Sequence, residues 1–256
     1  MKNAAEMPFL DHLEELRWRI IWSLAALVVG VVIGFVIVFN FDVLTWLQGP
    51  ILPFLNGTKL KVTHPGDGFS ILMQAAIIVG ILVALPVILS QVWAFLSPAL
   101  HKHEKRVGVP VILGAVLLFV AGAAMAWYLV LPMTLRVLFH FDEKAFDQMI
   151  TATEYFGFVS SLVLAMGAVF ELPIVILLLS VFGIVTPHFL AKFRRHAIVG
   201  SYVAASFITP GDLVISSIAL TVPLYLLYEL SIALSFLVYR AKQRKRLDDE
   251  AGDALA

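Results

Sequence analysis

Five acidic side chains stand out by where the sequence places them. Glu15 lies in HLEELR before the first long apolar run. Glu104 is the single carboxylate of the charged turn in QVWAFLSPALHKHEKR, among His101, Lys102, His103, Lys105 and Arg106. A carboxylate accepts a planar guanidinium through two parallel hydrogen bonds, so a pair of separated acids suits two incoming arginine side chains. The same acids can be ordinary juxtamembrane charges, Glu15 pairing with Arg19 at i+4 and Glu104 with its basic neighbours, and charge spacing alone favours that reading. Glu171 lies inside an apolar run about 12 residues, or roughly 18 Å, from its basic end. An acid at such a depth costs a few kcal/mol to insert and is functional or paired, and no basic residue lies within the apolar runs to pair with it. The alternative is a neutral, protonated Glu171 in a structural hydrogen bond. Glu229 sits closer to the basic tail and reads as structural, with Ser201 or Ser231 as small polar partners. Asp212, in TPGD, is read most simply as a helix cap.

Catalytic signatures are missing. The chain has no HExxH, no GxSxG, no phosphate-binding Gly-rich loop with Lys and no dinucleotide turn, so it is read as a non-enzyme that needs no cofactor. With no cysteine, disulfides, thiolate chemistry and Cys-ligated metal are excluded. His101 and His103 lack the further ligands that a metal site requires, so no metal is expected. Nothing points to nucleic acid.

The elements that must position these acids are membrane helices. At 61% apolar and 14% charged residues, the chain is far from soluble composition. Apolar runs of about 20 residues match the hydrocarbon thickness. An amphipathic helix, with Phe9, Leu13, Leu16 and Ile20 on one side, leads into a first span at about 20–39. The residues from Asn40 to Phe69 read as an ordered cap with short helical pieces. Further spans fall at about 70–94, 107–131, 154–182, 196–208 and 213–239 within one membrane domain, 1–240, with a polar segment from Pro132 to Ala152. Pro86 and Pro173 predict kinks and a curved wall. The fifth segment offers only 13 residues between Arg195 and Thr209, too few for about 30 Å of hydrocarbon. A tail at 241–256 reads as solvated and disordered. Trp18, Trp22, Trp46, Trp93 and Trp127 are expected at the bilayer interfaces.

Charge sets the orientation. Lys and Arg number three before the first span, three in the 101–106 turn, three in the 183–195 loop and five in the tail, against Lys59, Lys61, Arg136 and Lys144 elsewhere. Both termini are therefore expected in the cytoplasm, which requires an even number of spans; six fits. The one internal echo, 84–98 against 171–187, runs in the same direction in both copies and is not an inverted repeat.

Four stretches in order, HLEELR (His12–Arg17), PVILSQVWAFLSPALHKHEKR (Pro86–Arg106), FELP (Phe170–Pro173) and TPGD (Thr209–Asp212), resemble the twin-arginine protein translocase subunit TatC. The resemblance implies an all-α, six-span, glove-like bundle with both termini inside, a short fifth helix and a sixth that can also be short. It implies a multi-pass protein of the cytoplasmic (inner) membrane that binds twin-arginine signal peptides of folded precursors and uses proton-motive force to export them. Small single-span subunits, TatA and TatB or a TatA-like protein alone, would be its partners, alongside self-association and membrane lipid. Carried over by motif, Glu15, Arg17, Phe95 and Glu104 would bind the signal peptide. Glu171 would face an intramembrane groove, and Pro50 and Asp212 would be functional positions of the outer loops. The chain departs from frequent family residues at Glu14, Lys105, Gly211 and Ser216. Two other readings of the residues stay open: a proton-coupled secondary transporter with Glu171 as its proton site, and a membrane scaffold.

Overall fold

A 32-residue helix, α1 (Phe9–Asn40), opens the chain in the computed structural model, because the amphipathic leading segment and the first apolar run carry no break between them. The structure describes residues 9–55, 57–97, 108–140, 150–209 and 215–253, with the side chains of 9–11, 140, 215, 241–242 and 244–253 left out. After α1 come α2 (Val43–Leu47), a 3-10 segment (Gly49–Phe54), α3 (Asp67–Leu96) and α4 (Gly108–Met125). A π-helical turn (Ala126–Val130) joins α4 to α5 (Leu131–His140), and α6 (Ala152–Phe170), α7 (Leu172–Val181), α8 (Pro187–Lys192), α9 (Arg194–Ile208) and α10 (Ile215–Asp253) follow. The fold is all-helical: among the described residues the sole β feature is an isolated parallel bridge between Lys61 and Thr151.

Five stretches of the described chain are long and apolar enough to cross a membrane: His12–Asn40, Asp67–Leu96, Gly108–Phe139, Ala152–Val181 and Ser216–Arg240. The expected fifth segment is α9, whose 15 residues give a rod of about 22 Å, short of the hydrocarbon thickness. Two sequence expectations change. The third apolar helix does not stop near residue 131 but continues to His140, passing Pro132 through the π-helical turn. Proline cannot donate to the carbonyl four residues back and its ring crowds that carbonyl, and the widened turn accommodates both defects. The expected disordered tail is helical as far as Asp253, carried by good helix formers over 240–247 (RAKQRKRL). Prolines also differ in effect: the helix breaks between α6 and α7 beside Pro173, whereas α3 and α10 are uninterrupted at Pro86 and Pro223.

The chain divides into two compact units, residues 1–120 with 147–161, and residues 121–146 with 162–256. In the first, α1 and α3 form the main seam. Gly30 and Gly34 of α1 meet Ala76, Gly80 and Ala84 of α3 so closely that a Cβ added to Gly80 would lie 2.6 Å from the Val31 Cα. Lipid tails are as apolar as the side chains, so association inside a membrane depends on such close packing rather than on water exclusion. The cap is fastened by Tyr155, whose hydroxyl donates to the Leu47 carbonyl at 2.6 Å, and by the bridge, where Lys61 N donates to Ile150 O and Ala152 N to Lys61 O. In the second unit α10 packs on α7, α8 and α9. Gly122 there lies against the Met166 carbonyl and the Phe170 ring, at 2.7 and 2.8 Å from where a Cβ would be.

Candidate functional site

The leading part of α1 brings His12, Glu15 and Arg19 to one side by their i, i+3, i+7 spacing, and α3 brings Gln91 and Phe95 at i, i+4. Arg19 joins the two helices. Its Nη1 donates to Gln91 Oε1 at 3.2 Å, and its Nη2 donates to Glu15 Oε1 at 3.0 Å. The His12 ring stacks on Phe95 with centroids 4.4 Å apart and planes 14° from parallel. Glu15 thus has one oxygen engaged, while Oε2 is buried without a hydrogen-bond partner among the described residues, His12 Nδ1 being 3.8 Å away. A buried acceptor left unsatisfied costs about 1–3 kcal/mol, and an incoming N–H donor would recover it. Of the four residues expected to bind a signal peptide, Glu15 and Phe95 lie in this cluster. Arg17 is exposed, about 140° around α1 from His12. Glu104 lies outside the described residues.

Glu171 occupies the single-residue gap between α6 and α7. Its N–H reaches Ala168 O at 3.2 Å, and its carbonyl accepts from Ile174 N and Val175 N, both at 3.0 Å. Pro173, at the second position of α7, needs no partner for a missing N–H there. The carboxyl is half-buried, and its Oε1 is enclosed without a hydrogen-bond partner among the described residues. Pro50 is the second residue of the 3-10 segment, next to fully buried Ile51, where its fixed φ stiffens the cap. Asp212 lies outside the described residues.

The sequence model of the family described as "Sec-independent protein translocase protein (TatC)" matches residues 11–223. The chain belongs to the TatC family. It is 39% identical over 239 residues to the Sec-independent protein translocase protein TatC of Aquifex aeolicus (strain VF5), covering 93% of this chain and 98% of that protein. The TatC protein of Koribacter versatilis (strain Ellin345) is 36% identical over 244 residues, covering 94% and 89% of the two chains. A solved structure described as a crystal structure of the twin arginine translocase receptor TatC superposes with a TM-score of 0.73 at 39% identity, covering 89% of this chain and 99% of that one. As a TatC protein it is a multi-pass protein of the cytoplasmic membrane and a translocase component, not an enzyme.

In this TatC chain, Glu229 corrects the sequence reading. Its partners are neither Ser201 nor Ser231: Arg194 holds it at 2.9 Å from both Nε and Nη2, and Tyr225 donates to Oε1 at 2.7 Å. Ser231 instead donates to the Leu227 carbonyl within α10. The Arg194 fork clamps the start of α9 to α10, and Tyr228 fastens α8 by donating to Leu190 O at 2.8 Å. Trp127 is 7% exposed within the π-helical turn, so it is a packing residue and not a belt anchor, while Trp18, Trp22 and Trp46 are more than half exposed. Asp67, which sequence reading passed over, gathers the cap in front of α3. Its Oδ2 accepts from Thr63 N at 2.9 Å, His64 N at 2.8 Å and Thr63 Oγ1 at 3.1 Å. The signal for it was an acid at the start of a helix, where the helix dipole favours negative charge.

Proposed function

We propose that this TatC-family protein is the receptor for twin-arginine signal peptides and the core subunit of a translocase that exports folded proteins with proton-motive force. Glu15 and Glu104 take the two signal arginines, with Arg17 and Phe95 as supporting residues. The observation that carries the reading is the Glu15 carboxylate: Oε1 accepts from Arg19, which Gln91 in turn anchors to α3, and Oε2 is enclosed with no hydrogen-bond donor among the described residues. Oε1 accepts a single bond from Arg19 and so keeps a second lone pair beside the unused Oε2, which lets the carboxylate take the two parallel N–H groups of an arriving guanidinium, a geometry that a lysine ammonium does not match. Glu171 faces the intramembrane groove along which the signal's apolar stretch lies, and Pro50 and Asp212 are functional positions of the outer loops. The partners are TatA- and TatB-like single-span subunits, or a TatA-like protein alone, with self-association of this chain.

Co-purification tests it. The full-length protein in detergent should retain a twin-arginine signal peptide at least about tenfold better than its twin-lysine variant, the loss expected for a charge-assisted bidentate contact. Glu15→Gln and Glu104→Gln should each remove that preference while the protein remains inserted. Equal retention of the two peptides by the unaltered protein would overturn the receptor reading. Unchanged discrimination in both variants would overturn the site. The secondary-transporter alternative requires solute uptake by the purified protein alone, which the receptor reading excludes.

A further inference from the structure

The second oxygen of Glu15 is enclosed, so an arriving guanidinium reaches it only when a neighbour moves. That neighbour is His12, three residues earlier on α1, whose Nδ1 lies 3.8 Å from Oε2. The separation is too long for a hydrogen bond. What holds the imidazole in place comes from the other helix: it stacks on Phe95 of α3, with centroids 4.4 Å apart and planes 14° from parallel. Yet the His12 side chain is 45% exposed, against 22% for Glu15, so it can swing toward water without opening a packed core.

An imidazole so placed shares three features with a guanidinium. Both groups are flat, both carry nitrogen at the rim, and both can lie on an aromatic face while turning a nitrogen toward a carboxylate beside it. His12 thus fills, over Phe95 and next to Glu15 Oε2, the position that one arginine of a signal peptide requires. We propose that His12 is an internal placeholder for that arginine. Before a signal peptide arrives it covers the Phe95 ring and the unused oxygen of Glu15; one signal arginine displaces it, stacks on Phe95 and donates to the carboxylate. The inference rests on the receptor reading given above and adds a contact that regulates the same site. A lysine ammonium has no flat face to exchange for the imidazole, so the displacement step itself favours arginine.

Charge sets how firmly the placeholder sits. Imidazole is the side chain whose charge changes between about pH 5 and 8, and an imidazolium is drawn to the carboxylate beside it. Among the described residues the charged groups next to His12 are Glu15 and Arg19, while α3 presents Gln91 and Phe95, neither of which titrates. Acid therefore holds the site closed, and a rise in pH loosens it.

The test uses the full-length protein in detergent and measures retention of a twin-arginine signal peptide and of its twin-lysine variant at about pH 5.5 and about pH 8, on either side of the imidazole transition. At the higher pH, His12→Ala should retain the twin-arginine peptide about threefold to tenfold better than the parent, the factor that one aromatic pair contributes. Acidification should lower retention by the parent about twofold to fivefold more than retention by His12→Ala or by His12→Phe, which keeps the stack and has no nitrogen. His101 and His103 are common to all three proteins, so their titration cancels in the comparison. Retention by His12→Ala equal to or weaker than that of the parent, at an unaltered unfolding temperature, would overturn the proposal, because His12 would then support the arginine or be indifferent to it. If the alanine variant unfolds at a lower temperature, the His12→Phe profile decides: a pH dependence equal to the parent's would overturn the placeholder. Equal retention of the two peptides by the parent would instead overturn the receptor reading, and this inference with it.

Discussion

Arg19 divides one guanidinium between Gln91 and Glu15, and that division decides how Glu15 is presented. If the pair were an ordinary surface ion pair, removing Arg19 would change little, because exposed pairs contribute about 0–1 kcal/mol. If Arg19 orients a carboxylate whose other oxygen awaits a donor, its removal lets Glu15 turn toward water and weakens arginine binding. Gln91→Ala is the sharper probe, since it removes the anchor on α3 and leaves both charges in place. It is expected to lower twin-arginine peptide retention about fivefold, the value of one net hydrogen bond, with the unfolding temperature within a few degrees of the parent. Retention equal to the parent in both Gln91→Ala and Arg19→Ala would return Glu15 to the status of a surface charge. The Glu15–Arg19 contact was legible in the sequence because it is local, four residues apart on one helix. The Arg19–Gln91 and His12–Phe95 contacts were not, because the register between α1 and α3 is set by packing far from these residues. Glu229 illustrates the same limit: its partner Arg194 lies on another helix, and no periodicity joins them.

Register is a matter of elements, and α1 and α3 settle theirs through small residues. Gly30 and Gly34 stand four apart in an otherwise large, β-branched apolar run, and Ala76, Gly80 and Ala84 repeat that spacing on α3. Apolar runs reveal the helices themselves, since composition and length decide what can live in a bilayer. They do not reveal which helices touch, and the glycines become meaningful only when both are seen at the seam. Gly80→Ala is therefore expected to destabilise the first unit by about 1–3 kcal/mol, as overpacking does, because its Cβ would meet the Val31 backbone, which cannot rotate away. Gly200→Ala on α9, where an added Cβ meets nothing within 4 Å, is expected to be neutral or to stabilise by up to about 1 kcal/mol. Thermal unfolding in detergent compares the two directly, and equal effects would mean that α1 and α3 do not depend on this seam. The π-helical turn before Pro132 is a further case of partial legibility. Proline announced a disturbance, and the sequence reading took it for a helix end, whereas a locally widened helix absorbs it.

For the whole chain, the open question of architecture is how many times it crosses the bilayer, and α9 carries the answer. Five described stretches are long enough to cross, and an odd number would put the termini on opposite sides, against a Lys and Arg distribution that places both termini with the 101–106 turn and the 183–195 loop. A crossing by α9 restores the even number. Its 15 residues reach about 22 Å, so the bilayer must thin around it or neighbouring protein must cover its ends. The alternative is that α9 turns back within one leaflet, which would leave the C-terminal basic tail on the side opposite to the other basic segments. Because the chain contains no cysteine, single introduced thiols report sidedness without background. Lys59→Cys and Gly211→Cys should react with a membrane-impermeant maleimide in intact cells, whereas Lys192→Cys should react only after permeabilisation. Labelling of Lys59→Cys from outside with Gly211→Cys shielded until permeabilisation would show that α9 does not cross. In that case charge in the tail has been outweighed by the length of a helix, and the short segment is a feature of one leaflet rather than a sixth span.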